Sequence, residues 1–431
     1  MSHQPSRRDV LKATAATTVG LALGGRAYAA TPSDLVRYAI VGVRGKGSSN
    51  MDSAAKHGTI VALCDVDANF RSEALMTYPT VSTFSDYRKM IESVHKYCDA
   101  VIVSTPDHNH GPAAALALRA GKAVYCEKPL THSIYEARTL NALAKKAGVA
   151  TQMGNQGTAE DALRKCVQLV KTGALGAVKE VHCWTDRPAG WWPQGAPRPE
   201  RKPVPRTLNW DCWLGPAPVR DYGDSYHTFA WRGRWDFGTG SLGDMGCHVL
   251  NMPIQALELY EPIAVQATTS GNNKECYPLT SHVTYEFAKR GARGPVTLHW
   301  YDGGVKPSRD LVGGKELDSN GSIMVFEKAT IYSASAYGGV YEVIGMDNVP
   351  DVKWEHSPGH FTEFDAAIKG GKPSRSNFEI SGPLTETVLL GNLAIWASGP
   401  RLEWDSKSMK VKGSSEYDKL IHPEMRAGWA L

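Results

Sequence analysis

The sequence predicts an α/β chain in two parts: a first domain on a parallel sheet, residues 30–155, and a second, α+β domain, 156–431, with an open, mostly antiparallel sheet. Three observations predict it. A buried-strand pattern at Leu35–Gly42, LVRYAIVG, runs into a glycine turn and then helix-like residues Ser48–His57. Short apolar runs follow, each ending in polar residues and each leading into helical periodicity, which is how a parallel sheet is written. After Gly176 the pattern becomes alternating, in VKEVHCWTD, HVTYEFAK, PVTLHWYD and GSIMVFEKATIYSA, and a period of two suits half-buried antiparallel strands.

A chain of 431 residues, 42% of them hydrophobic, exceeds the usual size of one domain, so two domains are expected. Net charge is +4 with no long basic run, which argues against a nucleic-acid partner. The first residues read as an address. Ser6, Arg7, Arg8, Asp9, Val10, Leu11 and Lys12 look like a twin-arginine export signal, Ala13–Gly24 is an apolar run too short to span a bilayer, and Ala27-Tyr28-Ala29 offers a cleavage site after Ala29. Residues 1–29 are therefore expected to be a signal peptide, with a periplasmic protein and no membrane anchor. Eight cysteines show neither a disulfide framework nor metal-ligand spacing; they read mostly as buried apolar residues, with one late bridge left open.

The strand at Leu35–Gly42 leads into Gly42, Val43, Arg44, Gly45, Lys46 and Gly47, a strand, glycine turn and helix in the order of a Rossmann dinucleotide-binding domain. Backbone N–H groups at such a turn approach a pyrophosphate at a helix N-terminus. The usual middle glycine is Arg44 here, and Arg44 and Lys46 are placed to meet phosphate charge. The next strand, Ile60–Cys64, ends in Asp65, about twenty residues beyond the loop, where a carboxylate accepts from the adenosine ribose. That residue favours NAD over NADP.

The strand Asp99–Ser104 ends in Thr105, Pro106, Asp107, His108, Asn109 and His110. This loop reads as the nicotinamide side of the crevice, with Thr105, Pro106 and His110 as contacts; a metal site is the minor alternative, since no third ligand group recurs. The next strand, Ala123–Cys126, runs into Glu127 and Lys128 and is stopped by Pro129. After the helix Ser133–Ala147 and the strand VATQMGNQ, Asn155 and Gln156 read either as cofactor or substrate contacts or as caps of the segment Thr158–Thr172.

Between the first strands of the second domain lie a Pro-rich insert, Arg187–Arg206, and then Trp210, Trp213, Tyr226, His227, Trp231 and Trp235. Flat aromatic faces beside polar groups suit a sugar, and two or three of these rings, Tyr226 and Trp231 foremost, are expected to face it. In GTGSLGDMGCHVLN, Gly238–Asn251, Asp244 and His248 share one helical face at i, i+4. His360–Ile368 and Leu384–Ala397 read as helices and Arg401–Val411 as a last strand; the tail from Glu416 carries no signal.

The order of these motifs, Glu127-Lys128-Pro129 above all, resembles the Gfo/Idh/MocA oxidoreductases, which include glucose-fructose oxidoreductase and inositol dehydrogenase. The resemblance implies that Lys128 reaches the nicotinamide ribose and the reacting hydroxyl, that the Lys128–Pro129 bond is cis, that Asp244 and His248 face the nicotinamide, and that the protein is a homo-oligomer, dimer or tetramer. The resulting expectation is an oxidoreductase with tightly held NAD acting on a secondary hydroxyl of a sugar or cyclic polyol. Lys128, Asp244 and His248 are its catalytic set; the cofactor set is Gly42, Arg44, Gly45, Lys46, Gly47, Asp65, Thr105, Pro106, His110, Glu127, Lys128, Asn155 and Gln156. Lys128, Asn155, Tyr226, Trp231, Asp244 and His248 are the substrate set, and no metal is expected. A glycosidase using bound NAD in an oxidation, elimination and reduction cycle is one alternative reading, and a non-catalytic sugar-binding protein is a second.

Overall fold

The computed structural model describes residues 35–431, so the twin-arginine segment lies outside the described residues. Six strands form the first sheet: β1 (Val36–Val41), β2 (Gly58–Cys64), β3 (Ser82–Phe84), β4 (Ala100–Val103), β5 (Ala123–Cys126) and β6 (Thr151–Met153). Their order is β3-β2-β1-β4-β5-β6 and every pairing is parallel. The order reverses between β1 and β4, which opens a crevice at their carboxyl ends. β1, β4 and β5 are apolar almost throughout, as strands covered on both faces must be.

The second sheet has nine strands: β7 (Val178–Trp184), β8 (Ala264–Thr269), β9 (Ser281–Phe287), β10 (Val296–Tyr301), β11 (Gly321–Phe326), β12 (Thr330–Ser333), β13 (Glu342–Ile344), β14 (Leu402–Asp405) and β15 (Lys410–Val411). They run β13-β12-β11-β7-β10-β9-β8-β14-β15, antiparallel except where β7 meets β10. The predicted alternation is real: β9 and β10 bury every second residue. The segment predicted as one last strand is a hairpin, β14 and β15, because Ser406–Met409 turn the chain.

Local signals set the helices. Ser133 and Glu136 form a reciprocal capping box at the start of Ile134–Ala147, and Gly148 ends that helix in the left-handed conformation. The helix predicted from Leu384 begins earlier, at Phe378, where Asn377 caps it and Pro383 is carried within it. This twenty-residue helix packs on Ile134–Ala147, on Gly240–Val249 and on β8, so it ties the two sheets together. The tail that carried no sequence signal is docked: Trp429 meets Tyr87 edge-on with the Arg88 guanidinium over its face, and Arg426 pairs with Asp211.

One face of the first sheet is finished from far along the chain. Phe361 and Phe364 of the helix His360–Ile368 pack on Tyr38 and Tyr125, and the Tyr38 hydroxyl donates to Asp365. Glu363 of the same helix pairs with Arg164, which is 2% exposed and also donates to the carbonyls of Thr158 and Glu355. All eight cysteines are buried and unpaired. No helix among the described residues is long and apolar enough to cross a membrane. Glu363→Ala would leave the Arg164 charge buried without its carboxylate, so it is expected to cost about 3 kcal/mol of stability; urea denaturation monitored by fluorescence checks this, and a loss below about 0.5 kcal/mol would refute the role given to the pair.

Candidate active site

The crevice beyond β1, β4 and β5 is a cavity of about 600 Å³. Its first wall is backbone. Gly42 (φ 84°) could not carry a side chain, because a Cβ would lie 2.5 Å from the Ser104 carbonyl oxygen. At Gly47 a Cβ would lie 2.1 Å from the Gly42 carbonyl oxygen, so this glycine lets the helix Lys46–Ala55 close onto the turn. Gly45 (φ 61°) faces open space at the uncapped start of that helix. The loop thus holds a phosphate-sized cradle with Arg44 in the missing glycine's place. Arg44 itself leans over Phe70 and pairs with Glu73, and both Phe70 and Lys46 line the cavity.

Asp65 stands at the end of β2. Its two oxygens accept from the Val43 and Asp67 N–H groups, at 3.1 and 3.0 Å, and each keeps an acceptor direction for a ribose hydroxyl. Burial raises its pKa against those two hydrogen bonds. Thr105 and Gln156 line the cavity, and Thr105 Oγ1 and Gln156 Oε1 are buried polar atoms without a protein partner. Unmet polar atoms around a glycine cradle and a ribose-facing carboxylate fit NAD.

The second wall brings charge. Lys128, just after β5, donates from Nζ to the Asp244 carbonyl at 2.8 Å and to Asp244 Oδ1 at 2.9 Å. Arg232 Nε lies 3.4 Å from the same Oδ1. Burial works against Asp244's ionisation, yet the Lys128 and Arg232 charges hold its pKa down at about 2. Burial opposes the Lys128 charge too, but Asp244 outweighs it and the pKa rises. One turn on, His248 is buried; burial and then the Lys128 charge push its pKa well below the ordinary value, so the imidazole is neutral. Its Nδ1 has no protein partner, and its ring meets Tyr337 edge-on.

Supporting groups fix this arrangement. The Lys128–Pro129 bond is cis. Glu127 accepts from Asn50 at 2.9 Å, and His110 lies between the carbonyls of Pro129 and Thr105, at 2.7 and 2.8 Å, as a strut between two loops. His108 is likewise taken up by the carbonyls of Phe237 and Trp213. The two histidines of that loop are therefore structural links. Asp107 accepts from the Thr239 hydroxyl at 2.5 Å, just before the helix that carries Asp244.

Two models of one family match the chain: an oxidoreductase-family NAD-binding Rossmann fold over residues 36–155, and that family's C-terminal alpha/beta domain over 160–293, together more than half its length. The chain belongs to the Gfo/Idh/MocA oxidoreductases. Its cofactor is NAD, named for the matched first domain. Among curated proteins, this Gfo/Idh/MocA chain is similar to the uncharacterized oxidoreductase YdgJ of Escherichia coli K12, 29% identical over 171 residues covering 38% of this chain and 49% of that one. It is also similar to inositol 2-dehydrogenase of Salmonella typhimurium LT2, 27% identical over 152 residues, 34% and 45% of the two chains. The match spans about half or less of these relatives' length. Among solved structures, the WlbA dehydrogenase of Bordetella pertussis in complex with NADH and UDP-GlcNAcA superposes with TM-score 0.60 at 17% identity, over 86% of this chain and 99% of that one. An inositol dehydrogenase homolog of Azotobacter vinelandii, complexed with NADH and myo-inositol, gives 0.58 at 15%, over 86% and 98%. At such identities the likeness is one of fold.

The cavity of this Gfo/Idh/MocA member gathers Gly42, Arg44, Gly45, Lys46, Asp65, Thr105, Pro106, His110, Glu127, Lys128, Gln156, Trp231, Asp244 and His248 from the sequence-predicted set. Three of that set lie elsewhere. Asn155 is buried and turned to the Ser376 hydroxyl and the Cys247 carbonyl, so it joins segments behind the site. Tyr226 is 1% exposed in an aromatic cluster, its hydroxyl between Arg220 and Glu275, because two charged neighbours there satisfy a phenol that the sugar reading had aimed at the cavity. Gly47 acts through packing. Of the other rings singled out, Trp213 and His227 line the cavity, whereas Trp210 and Trp235 do not.

Sequence reasoning missed Arg187, Trp191, Trp192, Arg232 and Tyr337, all cavity-lining, and left Asp107 without a role. The run WRGRW around Arg232 was visible, but nothing local marks Tyr337. Burial pushes the Asp107 carboxyl up to about 6, against its hydrogen bond from Thr239 and the Lys128 charge. Its folded pKa lies above the unfolded value, so its ionisation costs stability: the cost is absent below about pH 4, grows up to about 6 and is full above that. Asp107→Asn is therefore expected to stabilise the protein by about 2–3 kcal/mol at pH 8 and to leave it unchanged near pH 4. Denaturant titration at the two pH values checks this, and equal effects at both would be the contrary result.

Proposed function

We propose that this chain is an exported, periplasmic NAD-dependent oxidoreductase that moves hydride between its nicotinamide and a secondary hydroxyl of a sugar or cyclic polyol, keeping the cofactor bound through turnover. The observation that carries this reading is the Lys128–Asp244 pair with neutral His248 one turn away, in one cavity with the glycine cradle and several tryptophans. Inositol 2-dehydrogenase among the relatives and a myo-inositol complex among the fold neighbours support the substrate class.

Bound NAD supplies the hydride acceptor or donor at its nicotinamide C4. The chain's own residues handle the alcohol. Lys128 spends two of its three N–H groups on Asp244 and keeps one for the reacting hydroxyl oxygen, where its charge stabilises a developing alkoxide. Asp244 holds that ammonium charged and in place. His248, neutral and buried, takes the alcohol proton on a ring nitrogen. Lys128 is the other candidate base, and its raised pKa disfavours it. Trp192 and Trp231 offer apolar faces to the C–H side of a ring.

The twin-arginine leader read at Ser6–Lys12 supplies the export step, which carries folded proteins and lets NAD leave the cytoplasm already bound. Redox balance then has to close at one site. A second substrate can do this, and so can the oxidation and elimination cycle of a glycosidase. Release of aglycone from a nitrophenyl glycoside without net NADH would favour that cycle.

Lys128→Ala and His248→Ala are each expected to lower turnover by about two to four orders of magnitude while NAD stays bound. Near-normal turnover in both would overturn the assignment. Asp65→Ala is expected to weaken NAD and relax its preference over NADP, read by titration with both dinucleotides. Mature protein is expected to carry near-stoichiometric dinucleotide through gel filtration; protein that emerges empty and releases NADH at each turnover would refute cofactor retention.

A further inference from the structure

The cavity lining includes Arg187 and Trp191, which the proposed chemistry does not use. Arg187 follows β7, and its guanidinium lies 3.4 Å over the Trp191 ring. Trp192, held by its indole N–H to Gln194 at 3.0 Å, meets Phe229 edge-on, and Phe229 carries the Arg232 guanidinium at 4.2 Å. The five side chains all line the cavity, Arg187 with Trp191 as one group and Trp192, Phe229 and Arg232 as another. Arg232 is mostly engaged, its Nε with Asp244 and its Nη1 with the Phe229 carbonyl.

Arg187 is not. Its Nη1 donates to Asp186 at 3.1 Å, and its Nε and Nη2 have no partner among the described residues. Those two atoms form one edge of the guanidinium, the fork that receives two oxygens of a carboxylate. The side chain is 15% exposed, and neither atom is fully buried, so the edge is open to a ligand entering the cavity. Asp186 pairs with Arg187 through Nη1 alone, and the cavity's other carboxyl groups are committed elsewhere: Asp244 to Lys128 and Arg232, Asp107 to Thr239, and Glu127 to Asn50.

We propose that the substrate is a sugar acid and that Arg187 is a specificity-determining residue, receiving the carboxylate on its Nε–Nη2 edge while Trp192 and Trp231 pack against the sugar ring. The inference rests on the reading of this cavity as a sugar or polyol site and narrows it to an anionic member of that class. Lys arranged at this position would supply charge without the fork.

The test is equilibrium binding to the NAD-loaded protein, followed by tryptophan fluorescence and calorimetry, separately from turnover. Glucuronate, galacturonate and gluconate are compared with glucose, galactose and myo-inositol, and glucose 6-phosphate serves as the other oxyanion. At least one sugar acid is expected to bind about ten-fold or more tightly than its neutral counterpart. Arg187→Gln is expected to weaken that acid about 10- to 100-fold and the neutral sugar less than about twofold, with Arg187→Lys restoring only part of the loss. Retained NAD and an unchanged circular dichroism spectrum identify folded variants, and the wild-type comparison stands without any variant. Neutral sugars binding as well as every acid, Arg187→Gln weakening both alike, or selective binding of the phosphate alone would each overturn the proposal. Selective acid binding without any hydride transfer would instead refute the oxidoreductase reading and leave this one standing; turnover of neutral polyols without acid selectivity would do the reverse.

Discussion

The ion pair between Lys128 and Asp244 is the contact on which the rest of the site depends. Lys128 leaves the last residues of β5 and Asp244 belongs to the helix Gly240–Val249, so a carboxylate and an ammonium 2.9 Å apart hold the first sheet's carboxyl edge to the second domain. Neither charge is well solvated, and each exists because the other does. His248 takes its environment from this pair: one turn along the helix, facing a positive charge and cut off from water, it is held neutral. The bonds of His110 to the carbonyls of Pro129 and Thr105 tie the two loops around the pair, and Asp107 is joined to Thr239 at the start of the helix that carries Asp244.

The two halves of the cavity work by different physics. The cradle built from Gly42, Gly45 and Gly47 uses backbone geometry and helix polarity, neither of which carries a titratable group. The other half uses side-chain ions packed among aromatic rings, where one more or one fewer proton alters what can bind. A cofactor common to many relatives suits the first kind of wall, and a substrate that differs between relatives suits the second.

Much of the first domain was legible because its signals are local. A strand ending in Asp65, a glycine turn after Val41 and a proline after Lys128 each act on their immediate neighbours, and the structure puts all of them at one edge. Asp244 and His248 were legible through helical spacing. What escaped was set by partners distant in sequence. Tyr226 reads like a sugar-stacking ring until Arg220 and Glu275 claim its hydroxyl, and Asn155 reads like a ligand contact until Ser376 faces it. Tyr337 enters the cavity from the stretch between β12 and β13, about ninety residues beyond His248, and no pattern in its own segment announces it.

The helix His360–Ile368 has a consequence for how the chain is made. The first sheet is encoded early, yet on the face where Met51, Ala54 and Ala74 pack, Tyr38 and Tyr125 lack Phe361 and Phe364 until late, and Tyr38 waits 327 positions for its hydrogen bond to Asp365. A ribosome that has finished the dinucleotide-binding strands has therefore produced a sheet with one apolar face only partly covered. Contacts of such separation close slowly. Synthesis of this protein should leave that patch around Tyr38 and Tyr125 exposed, and dependent on whatever shields apolar surface in the cell, until the helix His360–Ile368 has emerged.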